Sequence, residues 1–121
     1  MKIFDIGVNM THSNYRGWYR RESVHKADAD LVFERAKAHG VEKFLITTNT
    51  LNDAEYTHRM SCRSDGYYTT IGVNPMHCND VFRIAEEGED ISREQLVGRY
   101  FQKMKDTLKN STQPDKYLAI G

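Results

Sequence analysis

Val41-Glu42-Lys43-Phe44-Leu45-Ile46-Thr47-Thr48 decides the fold. Phe44, Leu45, Ile46 and Thr47 are β-prone and follow closely on Gly40, a helix-stopping residue, so the run reads as a strand entered directly from a helix. The helix before it is marked by Ala29, Val32, Phe33 and Ala36 at positions i, i+3, i+4 and i+7, with Asp28 placed as its N-cap. Before that, Lys2 to Val8 (KIFDIGV) is a short apolar-rich run closed by Gly7 and Asn9, as a buried strand would be.

The same alternation continues after Thr48. Asn52 with Glu55 has the spacing of a capping box, and Ala54, Thr57, Met60 and Ser61 mark one face of a second helix reaching Ser64. Tyr67 to Pro75 (YYTTIGVNP) gives a third strand ending at Asn74, because Pro75 lacks the N–H a ladder needs. Met76 to Ile91 has no clean period and reads as a long loop with a turn of helix. Ser92 and Gln95 form another capping box, opening a helix with Val97, Tyr100, Phe101, Met104 and Leu108 on one side, closed by Asn110 to Pro114. Lys116 to Gly121 (KYLAIG) opens a fourth strand.

The order is β-α-β-α-β-α-β, which implies parallel strands joined by right-handed crossovers. Three such crossovers in sequential order put every helix on one face and leave the other bare. Either the strand order reverses, as in a doubly wound sheet, or further chain completes a barrel. The run Leu118-Ala119-Ile120 at the end of the chain favours the barrel. A (β/α)8 barrel takes about 250 residues, so residues 1–121 are expected to form a single domain: three β/α units plus a fourth strand, about the first half of such a barrel.

Composition narrows the functional classes. Lys plus Arg number 17 and Asp plus Glu number 17, so there is no global attraction to nucleic acid, and any such binding must come from a local patch. No window approaches the roughly 20 apolar residues of a membrane span. The two cysteines, Cys62 and Cys78, are too few for a disulfide framework, which points to reduced thiols and a cytoplasmic or nuclear protein.

Four segments share a resemblance. Asp5-Ile6-Gly7-Val8-Asn9, Phe44-Leu45-Ile46-Thr47, Gly72-Val73-Asn74-Pro75 and Leu118-Ala119-Ile120-Gly121 resemble, in order and spacing, TatD-type deoxyribonucleases. Tyr15-Arg16-Gly17-Trp18-Tyr19-Arg20 further resembles the longer first loop of that family's eukaryotic branch. The resemblance spans the whole chain and the N-terminal half of a family member. It implies a metal-dependent TIM-barrel nuclease that hydrolyses DNA phosphodiester bonds, often from the 3′ end, with Mg²⁺ or Mn²⁺ lowering the pKa of an attacking water.

On that resemblance Asp5, Asn9 and Asn74 are the candidate catalytic residues. The family's histidine pair after strand one falls on Gly7 and Asn9, as in the branch resembled, and Asn74 stands where many relatives have histidine. An amide oxygen can bind a hard cation or a phosphate but cannot shuttle protons near neutral pH. Asp5 and His77 are the candidate metal ligands, an incomplete set, because the family's bridging Glu and its later His and Asp ligands fall after Gly121. The expectation is a chain that does not cleave DNA unaided. A non-catalytic binding or self-associating module is the alternative, and a small doubly wound phosphate-binding domain lacks the glycine-rich loop it would need.

Between Arg16 and Lys26 four bases (Arg16, Arg20, Arg21, Lys26) oppose Glu22 alone and interleave with Trp18 and Tyr19. That composition suits phosphate contact and base stacking, so Arg16, Trp18, Tyr19, Arg20 and Arg21 are the candidate DNA-binding residues. The competing reading packs the aromatics on the first helix. The acidic stretch Asp80 to Glu94 and the remaining histidines read as solvated surface.

Overall fold

The computed structural model describes residues 1–121. Strands β1 (Ile3–Val8), β4 (Val41–Ile46), β5 (Tyr67–Ile71) and β6 (Tyr117–Ile120) form one sheet in the order β1-β4-β5-β6, every neighbouring pair parallel. Helices α1 (Ala29–Ala38), α2 (Ala54–Ser61) and α3 (Arg93–Lys109) make the connections. A short antiparallel hairpin, β2 (Trp18–Tyr19) with β3 (Glu22–Ser23), stands in the first connection. No helix is long and apolar enough to cross a membrane.

The core lies between the sheet and its helices. Phe33 of α1 meets Phe44 of β4 edge-on, with ring centroids 4.9 Å apart, and Tyr67 of β5 at 4.6 Å; Phe44 and Tyr67 are 5.2 Å apart. Met10, Ile46 and Met60 complete that cluster, and a second one joins Ile71 to Tyr100 and Met104 of α3. Because side chains alternate along a strand, Tyr68 faces away from the helices. There it meets Phe4, 6.4 Å away between centroids, and Phe4 remains exposed. Phe4 and Ile6 on one edge strand and Leu118 and Ile120 on the other are all exposed, as a sheet covered on one face requires.

Several boundaries differ from the sequence reading. The third strand ends at Ile71, not Asn74, and Pro75–Ile84 is a ten-residue run of 3-10 helix where a loop with one turn was expected. Asn74 caps that run, its side chain accepting from the Met76 N–H at 2.9 Å. The box expected at Asn52 and Glu55 does not form. A 3-10 turn, Leu51–Asp53, precedes α2, Thr50 donates to Asp53 at 3.0 Å, and the Leu51 N–H is taken by the Tyr100 hydroxyl at 2.9 Å. Asp28 flanks α1 without a side-chain capping bond, whereas the Ser92/Gln95 box forms in full.

The hairpin was not foreseen, since its turn is Arg20-Arg21, not Asn-Gly. Both arginines have positive φ, 49° and 69°, as the favoured two-residue hairpin turn demands of both central residues.

Candidate functional site at the strand ends

Parallel strands deliver their C-terminal ends to one rim, and that rim is where β/α barrels carry their chemistry. Here it carries amides. The Asn9 Oδ1 accepts from the Thr11 hydroxyl at 2.9 Å and from the Asn49 Nδ2 at 3.2 Å, while Asn49 Nδ2 also lies 2.5 Å from the Thr11 hydroxyl. The Asn74 N–H donates to the Asn49 carbonyl at 2.8 Å, so residues following three consecutive strands are tied into one chain.

Beneath that chain a threonine network locks the strands together. The Thr48 hydroxyl bonds the Thr70 carbonyl at 2.6 Å and the Thr57 hydroxyl at 2.8 Å; the Thr48 N–H donates to the Thr70 hydroxyl at 3.0 Å. Thr70 in turn donates to the Gly121 carbonyl at 3.0 Å, carrying the lattice to the end of β6. Thr48, Thr57, Thr69 and Thr70 are buried, and no buried side-chain nitrogen or oxygen lacks a partner. A fully satisfied buried network of this kind rigidifies what stands on it.

The chain can be compared with known proteins on this geometry. Deoxyribonuclease Tat-D of Schizosaccharomyces pombe is 33% identical over 90 residues, which is 74% of this chain and 29% of that protein. Deoxyribonuclease Tat-D of Saccharomyces cerevisiae is 31% identical over 97 residues, 76% of this chain and 23% of the other. The 3'-5' ssDNA/RNA exonuclease TatD of Klebsiella pneumoniae is 36% identical over 73 residues, 60% of this chain and 24% of the other. Among solved structures, a TatD family hydrolase from Entamoeba histolytica superposes on the whole chain with a TM-score of 0.75 at 28% identity, over 36% of its own length.

Over the residues it holds, this chain belongs to the TatD-type family.

An uncharacterized amidohydrolase from Saccharomyces cerevisiae shares the fold, with a TM-score of 0.80 at 23% identity. No family model matches the chain. The chain spans between 23% and 29% of these curated TatD relatives and 36% of the two solved chains, so it holds the first β/α units of the TatD architecture.

The TatD-type rim contains Asn9 but not Asp5. Asp5 lies within β1, four residues before Asn9, or about 13 Å along an extended strand. Its carboxylate accepts the Gly7 N–H at 3.2 Å where the pairing with β4 is irregular, and no hydrogen bond joins it to the amide chain. The side-chain oxygen of Asn74 is engaged in capping, leaving its backbone to join the rim. His77 faces Asp80, Nδ1 to Oδ2 3.1 Å, and Asp80 also binds Arg83 at 2.7 Å.

No three His, Cys, Asp or Glu side chains are grouped to hold a metal ion, and the Asn9 oxygen already accepts two hydrogen bonds. The residues of this chain by themselves therefore do not fit a Mg²⁺ or Mn²⁺ centre.

Asn49 and Thr11 were missed in the sequence. The available signal was that each of the first three strands runs into an asparagine within three residues of its end: Asn9, Asn49 and Asn74. Around the first loop, Arg16 stacks 4.8 Å above the Tyr56 ring of α2, and Trp18 and Tyr19 are each 49% exposed.

Beyond the rim, Glu89 is held by Arg99 of α3 through two hydrogen bonds of 2.5 and 2.7 Å. Those bonds, then the Glu86 N–H, lower the Glu89 carboxyl to about 2, which pins the acidic stretch to α3 without drawing it to the rim.

Proposed function

We propose that residues 1–121 supply the first β/α units of a nuclease that hydrolyses DNA phosphodiester bonds from the 3′ end. The observation that carries this reading is the Asn9–Asn49–Thr11 cluster at the strand ends of a TatD-type fold. The Thr11 hydroxyl and both Asn49 Nδ2 hydrogens are spent within the cluster, where they orient Asn9 and leave its Nδ2 as the donor for an anionic phosphate. None of the three side chains can take up a proton near neutral pH, so their part is to position, not to act as a general base. Asn74, through its backbone, fixes Asn49.

The divalent metal implied by the family resemblance has no complete set of ligands in this chain, and on that ground we propose that the 121 residues alone do not cleave DNA. With two cysteines, too few for a disulfide framework, we propose a cytoplasmic or nuclear setting.

The test is a hybrid enzyme in which residues 1–121 replace the matching segment of the S. pombe deoxyribonuclease. With a 5′-labelled oligonucleotide and Mg²⁺ or Mn²⁺ it is expected to give products shortened from the 3′ end. Asn9→Ala with Asn49→Ala should lower kcat/KM by about ten- to a hundredfold, the scale of a lost phosphate-positioning contact. An undiminished double variant refutes the role of the cluster, and chelator-sensitive turnover by residues 1–121 alone refutes the dependence on further ligands.

The uncovered sheet face favours a second reading, a self-associating module. Phe4, Ile6, Leu118 and Ile120 are exposed on the two free edge strands, which are templates for pairing. A monodisperse monomer in light scattering contradicts it.

A further inference from the structure

We infer that the β2–β3 hairpin is a binding site for single-stranded nucleic acid, taking a base against Trp18 and backbone phosphates at Arg20 and Arg21. The inference rests on the nuclease reading for its substrate class, but the hairpin carries its own observations.

The first is strain kept at an exposed position. Arg20 and Arg21 have φ of 49° and 69°, in the left-handed region that disfavours residues with a Cβ. Asn-Gly would satisfy the same turn without the penalty. Two arginines in that position place two permanent charges at the tip of a two-stranded ribbon.

The second is that these charges have no carboxylate partner. Arg59, Arg63, Arg83 and Arg99 all form ion pairs; Arg20 and Arg21 form none, and Arg20 instead lies 5.2 Å over the Tyr19 ring. Beside them Trp18 and Tyr19 remain half exposed, each at 49%, giving flat aromatic surface next to unpaired guanidinium groups. An aromatic face for bases beside cations for phosphates is the combination that holds a single strand with little regard to sequence.

The third is a rigid base. Gly17 has φ of 86° and is buried, and a Cβ there would overlap the His25 carbonyl. Its carbonyl takes the Val24 N–H at 2.9 Å, closing the ribbon, while Arg16 on Tyr56 fixes the entry to α2. The hairpin therefore projects from a fixed platform in the connection that leaves β1 at Asn9, on the rim side of the sheet.

Trp18 is the only tryptophan of the chain, so its fluorescence reports on this site alone. Residues 1–121 are titrated with a fluorescein-free 20-nucleotide oligo-dT bearing phosphorothioate linkages, which resist cleavage, across a range of salt concentrations. Binding is expected to quench Trp18. Arg20→Asn with Arg21→Gly should reduce the magnitude of the salt slope by about 1.4, from two lost phosphate contacts on a single strand, and weaken binding at least about tenfold at 0.1 M salt. The same variant should melt at a higher temperature, because the strained turn is relieved. Trp18→Ala, followed by calorimetry, should weaken binding about five- to a hundredfold with the slope unchanged.

Binding without quenching, a slope unaltered in the double variant, a lower melting temperature in that variant, or equal affinity for polyglutamate of the same length each overturns the proposal. So does absence of wild-type binding, and since no cleavage is measured, that result leaves the hybrid-enzyme test of the nuclease reading standing.

Discussion

Strands β1 and β5 invert what their sequences suggest. Ile3-Phe4-Asp5-Ile6-Gly7-Val8 holds four large apolar residues, yet Phe4 is 43% and Ile6 69% exposed; Tyr67-Tyr68-Thr69-Thr70-Ile71 holds two threonines and two tyrosines, yet both threonines are at most 5% exposed. The difference comes from position. β5 is flanked by β4 and β6 and covered by α2, so its threonines find partners in Ile46, Thr48 and Gly121. β1 is an edge strand, with one neighbour and a bare face. Burial in this fold follows a strand's place in the sheet more closely than its hydrophobicity, and the polar residues that strand-end architecture requires are those the interior can satisfy.

The largest effect that sharpens this contrast is expected from Phe33→Ala. It removes the ring against which Phe44 and Tyr67 pack, and should cost about 3–5 kcal/mol in chemical denaturation. Thr48→Val keeps the shape of the side chain but removes the hydroxyl donated to the Thr70 carbonyl, while the Thr57 hydroxyl keeps the Asp53 and Ala54 carbonyls; about 1–3 kcal/mol is expected, and a neutral result would mean that the threonine lattice contributes shape alone.

On the other side of the comparison, Ile6→Ala should change stability by no more than about 0.5 kcal/mol, because that side chain is already in water. A loss as large as that of Phe33→Ala would break the contrast and show that β1 is covered in solution.

The smallest effect belongs to the exposed ion pair. Glu89, depressed to about 2, should stay ionised through the range in which an ordinary glutamate, near 4.5, takes up its proton. A group with a lowered folded-state pKa stabilises above its unfolded value and loses that contribution as pH falls toward the folded one. The contact between the 86–90 stretch and Arg99 is therefore expected to weaken only as pH drops from about 4.5 toward about 2, and a carboxyl NMR titration with a midpoint near 4.5 contradicts the pairing.

The order of elements was legible because hydrophobic periodicity and stop residues are local. Gly40 between α1 and β4 and the Ser92/Gln95 box at α3 are both read within a few residues. The Asn52/Glu55 box had the same local signature and failed, because Thr50 and the distant Tyr100 hydroxyl reached that turn first. The hairpin was illegible for the opposite reason: its Arg-Arg turn contradicts local preference and is held by Gly17, Val24 and the platform beneath. Of the candidate site, Asn9 and Asn74 could be found from resemblance, whereas Asn49 and Thr11 needed the strands laid side by side.

By itself the sequence determined the succession of strands and helices, the parallel sheet that succession requires, and the TatD-type pattern at four strand ends, since each depends on spacing along the chain. The tertiary structure alone decided that Asn9, Asn49 and Thr11 share hydrogen bonds, that Asp5 stands apart from them, and that Arg20 and Arg21 sit in a left-handed turn beside open aromatic rings. These depend on pairing register and on which donors and acceptors arrive at the same place, and residues 40 positions apart carry no local signal of meeting.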